Sequence, residues 1–145
     1  MLGSFKKAIF RALCLCCALI GGGGLMAEPN PEELVLLGIK SYEKQDFSKA
    51  KGYFEKACDL KDGLGCKNLG ALHYNGEGVE KDLIKAAQFY SKACDLKEGD
   101  GCGALGGLYY NGDGVKQDFK KAVALFKKAC KLGYQLACEM LKELR

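Results

Sequence analysis

Apolar residues beyond position 34 recur at spacings of three and four, in two alternating kinds of segment. One kind carries Leu69, Leu72 and His73, and again Leu105, Leu108 and Tyr109. The other carries Ala50, Tyr53, Phe54 and Ala57, then Ala86, Phe89, Tyr90 and Ala93, then Ala122, Leu125, Phe126 and Ala129. Each set places one apolar stripe along a helix. The first kind is helix A and the second helix B. Strand-like alternation does not compete anywhere in these segments. Asp46, Asp82 and Asp118 each stand directly before the first apolar residue of a B segment, where a carboxylate accepts from free backbone N–H groups. The B helices are predicted to end near Leu60, Leu96 and Leu132. The runs Asn75–Gly78 and Asn111–Gly114 end helix A and turn the chain back.

The pattern is a repeat. Leu69-Gly70-Ala71-Leu72-His73-Tyr74-Asn75-Gly76-Glu77-Gly78-Val79 lies over Leu105-Gly106-Gly107-Leu108-Tyr109-Tyr110-Asn111-Gly112-Asp113-Gly114-Val115. A first copy opens at Leu37-Gly38-Ile39-Lys40-Ser41-Tyr42 but reaches its Asp46 four residues sooner, without the Asn-Gly-x-Gly-Val loop. Terminal repeats are often atypical. Small residues recur at Gly70, Gly106, Ala57, Ala93, Ala129, Ala86 and Ala122, where a neighbouring backbone is expected to pack closely. Lys61 and Lys97 stand where Gly133 stands in the third copy, so the B-to-A turns are expected to differ there. The units run over about 34–66, 67–102 and 103–138, followed by a short C-terminal capping helix.

Six cysteines obey the same period: Cys58/Cys66, Cys94/Cys102 and Cys130/Cys138, each pair Cys-x7-Cys. Six cysteines allow fifteen connectivities. Repetition selects one disulfide per unit. A nine-residue loop closed in this way stabilises by about 2.6 kcal/mol in the chain-entropy model. Zinc sites favour closer spacing and four ligands in one place, and redox catalysis favours Cys-x-x-Cys. Both rank below the structural staple.

The first 27 residues stand apart. Lys6, Lys7 and Arg11 precede an apolar run from Ala12 to Ile20, then four glycines and Leu25-Met26-Ala27. This reads as a secretory signal peptide. The run is too short to span a bilayer, so no stable membrane insertion is expected after cleavage. The segment holds three of the 22 basic residues and none of the 18 acidic ones, leaving residues 28–145 nearly neutral. A neutral chain with interspersed charges gives no electrostatic case for nucleic acid. A secreted or periplasmic location is expected, and it suits disulfides.

Units of 36 residues with Leu-Gly-x-Leu-Tyr, Asn-Gly-x-Gly-Val and Lys-Ala-Cys resemble the Sel-one-like repeat, a relative of the tetratricopeptide repeat. With paired cysteines and an export signal, the chain is similar to the cysteine-rich secreted bacterial proteins called Hcp-like. The expected fold is all-α: a right-handed α-solenoid of stacked antiparallel helix pairs, each repeat stapled by a disulfide. Members of that group are described as candidate beta-lactamases and penicillin binders. The resemblance therefore implies contact with beta-lactams or peptidoglycan-like fragments, with slow hydrolysis. Tetratricopeptide-like stacks more often bind than catalyse, so a scaffold holding a protein or peptide in its concave groove is the competing reading.

Candidate chemistry is sparse. His73 is the only histidine and takes the place of Tyr109 on the helix A stripe. Packing is its first role and ligand or acid–base duty its second. Alone, it cannot make a zinc site. Ser41/Lys44 and Ser48/Lys51 match Ser-x-x-Lys, but the partner motifs Ser-Asp-Asn and Lys-Thr-Gly do not occur. No metal or cofactor is expected. The candidate groove uses helix A positions off the apolar stripe, including Lys67, Ala71, Ala104 and Gly107. Asn68, His73, Asn75 and Asn111 are the candidate ligand-binding residues, amides being suited to sugar hydroxyls and peptide groups. If hydrolysis occurs, His73, Ser41, Ser48, Tyr74 and Tyr110 are the candidates to carry it.

Overall fold

A computed structural model describes residues 29–145. The expected signal peptide, residues 1–27, lies outside the described residues. The described chain is helical throughout. Six helices of 13 residues alternate as A and B: α1 (Pro31–Glu43), α2 (Phe47–Asp59), α3 (Gly63–Asn75), α4 (Leu83–Asp95), α5 (Gly99–Asn111) and α6 (Phe119–Lys131). A shorter α7 (Gln135–Glu143) closes the stack. Every helix packs on those before and after it. The A helices α1, α3 and α5 also touch one another across units. Successive B helices stand further apart, which puts the A helices on the inner side of the stack.

Caps explain where the helices begin. Asp46, Asp82 and Asp118 accept from the backbone N–H of Lys49, Lys85 and Lys121 at 3.2, 3.0 and 2.9 Å. Asp62 and Asn30 do the same for α3 and α1, through Gly65 and Glu33, both at 2.8 Å. Glu98 stands where Asp62 stands, one methylene longer, and makes no such bond.

The B-to-A turns do not differ as expected. Lys61, Lys97 and Gly133 all take positive φ, at 63°, 65° and 93°. Each turn makes the same two bonds. Lys61 N–H donates to Cys58 O and Asp62 N–H to Ala57 O, and the same pairing recurs 36 and 72 residues later. This is the Schellman closure of a helix, and it demands a left-handed residue whether or not that residue is glycine. The lysines accept the strain. Gln45, at φ 61°, closes α1 in the same way.

The long A-to-B loops sit on the preceding unit. A Cβ at Gly78 would lie 2.7 Å from the backbone C and O of Phe47, the first residue of α2. Gly114 meets Leu83, the first residue of α4, in the same way. Each Asn-Gly-x-Gly-Val loop therefore covers the start of the previous B helix. In the described chain α1 follows no B helix, and its connection to α2 is the short one.

The core is built of alanines and aromatic rings. Ala50, Ala57, Ala86, Ala93, Ala122 and Ala129 are fully buried on the B helices, with Phe54, Tyr90 and Phe126 beside them. A Cβ at Gly70 would meet the Tyr90 ring at 2.8 Å, and one at Gly106 the Phe126 ring at 2.8 Å. These A-helix glycines are seats for rings of the partner helix rather than for its backbone. Close helix approach occurs instead at Gly65 and Gly101, each against the Cβ of a B-helix alanine at 2.6 Å. Cys66 and Cys102 follow those glycines directly. The structure joins Cys58–Cys66, Cys94–Cys102 and Cys130–Cys138, with Cα separations of 4.5, 4.5 and 4.8 Å. The helix pairs begin one turn earlier than the cysteine spacing suggests. In that frame each cystine ties the B helix of one pair to the A helix of the next.

Candidate functional site

The A helices present one outward face, made of positions the apolar stripe leaves over. On α3 it carries Lys67, Asn68, Ala71, Tyr74 and Asn75, and on α5 Ala104, Gly107, Tyr110 and Asn111. A cavity of about 240 Å3 opens between α1 and α3, lined by Ile39, Tyr42, Phe54, Asn68, Ala71 and Leu72. Tyr42, Tyr74 and Tyr110 end successive A helices and remain 39, 37 and 37% exposed. Tyr42 and Tyr110 rest edge-on against Phe47 and Phe119, the first residues of their own B helices, at 5.1 and 5.2 Å between centroids. The rings are therefore positioned yet open to solvent. The signal was in the sequence: a tyrosine recurs one place after the apolar stripe in all three copies.

Polar links cross between units on this face. The Tyr42 hydroxyl donates to Glu77 at 2.9 Å, which raises the Tyr42 pKa above the ordinary phenol value. Lys67 pairs with Asp100 at 3.3 Å, joining α3 to α5. Asn75 and Asn111 turn their amides to Glu77 and Asp113 of their own loops, at 3.3 and 3.4 Å. Of the four expected ligand residues, Asn68 lines the A-face cavity, and Asn75 and Asn111 sit at helix ends with their amides engaged.

His73 is not on this face. It is buried at 6% exposure and turned to the other side of α3, where it stacks on Phe89 of α4 at 5.3 Å. There it lines a groove of about 550 Å3 between α2 and α4, together with Lys51, Glu55, Asp82 and Lys85. Burial, with the positive charges of Lys85 and Lys51, holds its imidazole below the ordinary histidine range. The equivalent groove one unit on, between α4 and α6, has a volume of about 630 Å3. Tyr109 replaces the histidine there, and apolar residues such as Ala87, Leu105 and Val115 dominate its walls.

No nucleophile–base pair forms among the candidates. Ser41 is buried, and its hydroxyl donates to Leu37 O at 2.8 Å, one helical turn back. Ser48 is exposed at the start of α2, and its motif partner Lys51 pairs with Glu55 at 2.8 Å instead. Tyr74 and Tyr110 lie a full unit apart. Among the described residues, no three His, Cys, Asp or Glu side chains group to hold a metal ion. None of the described helices is long and apolar enough to cross a membrane.

Stacked helix pairs, cross-linked by cystines and carrying one repeated surface, define a disulfide-linked helical solenoid. The Sel1 repeat profile matches residues 35–62, 64–98 and 99–140, and the chain belongs to the Sel1 repeat family. It is 61% identical over 83 residues to a Helicobacter pylori strain J99 protein named "Putative beta-lactamase HcpC". That match covers 57% of this chain and 28% of that protein. A second relative from the same strain, "Beta-lactamase HcpA", is 58% identical over 83 residues, covering 57% of this chain and 32% of the relative. The chain thus spans about a third or less of the length of these curated relatives. Among solved structures, Helicobacter pylori cysteine rich protein B matches with a TM-score of 0.63 and 39% identity, over 83% of this chain and all of that one. A Sel1 repeat protein from Oxalobacter formigenes, at 24% identity, shares the fold with a TM-score of 0.73 over 95% of this chain and 58% of that one.

Proposed function

We propose that the protein is a recognition scaffold of an oxidising compartment, and that its A face binds beta-lactams and the peptidoglycan peptides whose acyl-amide core they share. The observation that carries this reading is the repeated surface of the A helices. A tyrosine recurs at the end of each, beside a floor of Ala71, Ala104 and Gly107. Packing explains the tyrosines only in part: Tyr42 and Tyr110 rest on Phe47 and Phe119, yet all three rings stay more than a third exposed. Rigid aromatic side chains beside small residues suit a flat, amide-bearing ligand. The names of the relatives supply the ligand class.

Slow hydrolysis is the second reading, and the names HcpA and HcpC favour it. The site geometry offers it no assembled nucleophile and base. The experiment runs binding and turnover together on the oxidised protein, purified by two independent routes. Penicillin, a cephalosporin and a stem peptide ending in D-Ala-D-Ala are titrated by calorimetry, while ring opening is followed by absorbance. Binding without ring opening, weakened at least about tenfold in Tyr74→Ala and Tyr110→Ala, is the expected result. Ring opening that co-purifies with the protein and vanishes on reduction of the cystines would establish an enzyme. Binding indifferent to both tyrosines would remove the A face from the reading.

A further inference from the structure

The groove between α2 and α4 differs in chemistry from its counterpart one unit on, and the difference centres on two positions. In the later groove, Lys121 lies over the Tyr109 ring, 4.4 Å from its centroid. Lys121 is engaged by its own repeat. In the earlier groove, Lys85 occupies the position of Lys121 and His73 that of Tyr109. Lys85 makes no ion pair among the described residues. Nδ1 of His73 is sealed from solvent and has no hydrogen-bond partner. A neutral imidazole in that setting carries its hydrogen on Nε2, because a sealed N–H without an acceptor costs more than a sealed lone pair. The ring therefore offers one N–H donor on its open edge. A buried polar group with no protein partner, lining a groove beside an uncommitted ammonium, is a feature the fold does not require. Tyr109 shows that the stack closes without it.

We propose that this groove is a monocarboxylate-binding site, in which Nε2–H of His73 and the ammonium of Lys85 hold one carboxylate. Phe89 and the Gln88 amide receive the body of the ligand. The surrounding charges select the ligand class. Lys51 faces the groove but is paired with Glu55, both from α2. Lys81 lies over the Tyr74 ring at 5.7 Å. The carboxylates of Glu55, Glu80 and Asp82 line the same groove and disfavour a dianion such as phosphate. A singly charged acid is matched by one donor and one free cation. The volume, about 550 Å3, accommodates an acyl amino acid or the last residues of a peptide. The site is separate from the A face, and its success or failure does not depend on that reading.

His73 is the only histidine in the chain, so its imidazole gives a single set of NMR signals. The oxidised protein is titrated with N-acetyl-alanine and with the tripeptide Gly-Gly-Ala, each beside its C-terminal amide. Both acids are expected to shift the His73 signals and to raise the pH at which they titrate, because anion binding and imidazole protonation reinforce each other. The amides are expected to do neither. Lys85→Met should weaken binding at least about tenfold. His73→Tyr, which installs the residue of the next repeat, should fold and lose acid binding in backbone shift maps. Binding of the tripeptide alone assigns a peptide C-terminus as the source, and binding of N-acetyl-alanine alone assigns a free small acid. Amides that match their acids, or an affinity unchanged by Lys85→Met, overturn the proposal.

Discussion

Replacing Gly78 by alanine tests why the long loops exist. Gly78 has φ of +71°, and Gly76, two residues earlier in the same loop, has +74°. Alanine in the left-handed region costs about 1 kcal/mol at either place. Alanine also narrows the unfolded ensemble, which returns about 0.5 kcal/mol in both variants. Surroundings separate the two. At Gly76 the nearest atoms to a new Cβ are Lys81 Cβ at 3.1 Å and Lys81 N at 3.3 Å, so the exposed loop at Lys81 need give by only a few tenths of an ångström. At Gly78 the new methyl lies 2.7 Å from the backbone C and O of Phe47, and that backbone is held by the capped first turn of α2. Either the loop lifts or the helix end shifts, at a cost of about 2 kcal/mol by analogy with overpacked cores. Gly78→Ala should lose about 2.5 kcal/mol and Gly76→Ala about 0.5 kcal/mol. Urea unfolding of the oxidised protein, followed by far-UV circular dichroism, measures both. Gly107→Ala is the control: nothing lies within 4 Å of its Cβ, and it should gain about 0.5 kcal/mol as a helix-interior glycine. Equal losses at 76 and 78 would mean that the loop does not brace the preceding helix, and the account of the short first connection would fail with it.

Other expectations are independent of that one. Cys66 and Cys102 are essentially sealed, whereas Cys130 and Cys138 are both partly exposed, so limited reduction followed by alkylation and mass spectrometry should find Cys130–Cys138 opened first. Replacing Cys94 and Cys102 together by alanine should cost about 2.6 kcal/mol for the lost cross-link, read from the urea midpoint. Lys97→Gly should gain about 0.5 kcal/mol, the relief of a left-handed lysine exceeding the added freedom of the unfolded chain; a loss would mean that the turn is unstrained. Burial and then the charges of Lys85 and Lys51 depress the folded pKa of His73, so its neutral form contributes stability that is complete above about pH 6.5 and is lost as pH falls through the depressed value. His73→Tyr should lack that loss, so the stability gap between variant and wild type should change between pH 7.5 and pH 5; a constant gap would contradict the assignment.

Much of the architecture was legible in the sequence, for a physical reason. The spacing of Ala50, Tyr53, Phe54 and Ala57, repeated twice, has one helical solution, and Asp46, Asp82 and Asp118 mark where each B helix starts. Lys61 and Lys97 misled, because a residue's identity reports what a turn prefers and not what its hydrogen bonds impose. Two backbone bonds per turn fix the left-handed angle, and lysine tolerates it. His73 was misplaced for a related reason. Its position on the stripe was clear, but a stripe about 100° wide has two edges, and the sequence does not say which edge faces the open side. Tyr109 lies on the same edge, against Lys121, and the separation of successive B helices is what opens that edge.

A repeat protein contains its own controls, and they separate what the fold needs from what a ligand needs. Gly70 and Gly106 recur and are packed against rings, so the fold accounts for them. Gly78 and Gly114 recur and touch the previous helix, so the stack accounts for them. Tyr42, Tyr74 and Tyr110 recur and are exposed. Packing on Phe47 and Phe119 accounts for one side of the Tyr42 and Tyr110 rings, and the side left open recurs at the same place in every unit. Recurrence without burial is the mark of a surface used as a whole, and it supports the A face as the recognition surface. His73 and Tyr109 show the reverse case. The position is buried in one copy and partly buried in the next, yet the residue changes from a phenol that engages its lysine to an imidazole that leaves its lysine free. Packing tolerates both, so packing does not explain the change. The first copy has Ser41 at this position, buried and bonded to Leu37 O, so all three units differ here. Among them the second alone leaves a buried polar atom without a partner, and the groove between α2 and α4 is where a ligand would meet that side chain.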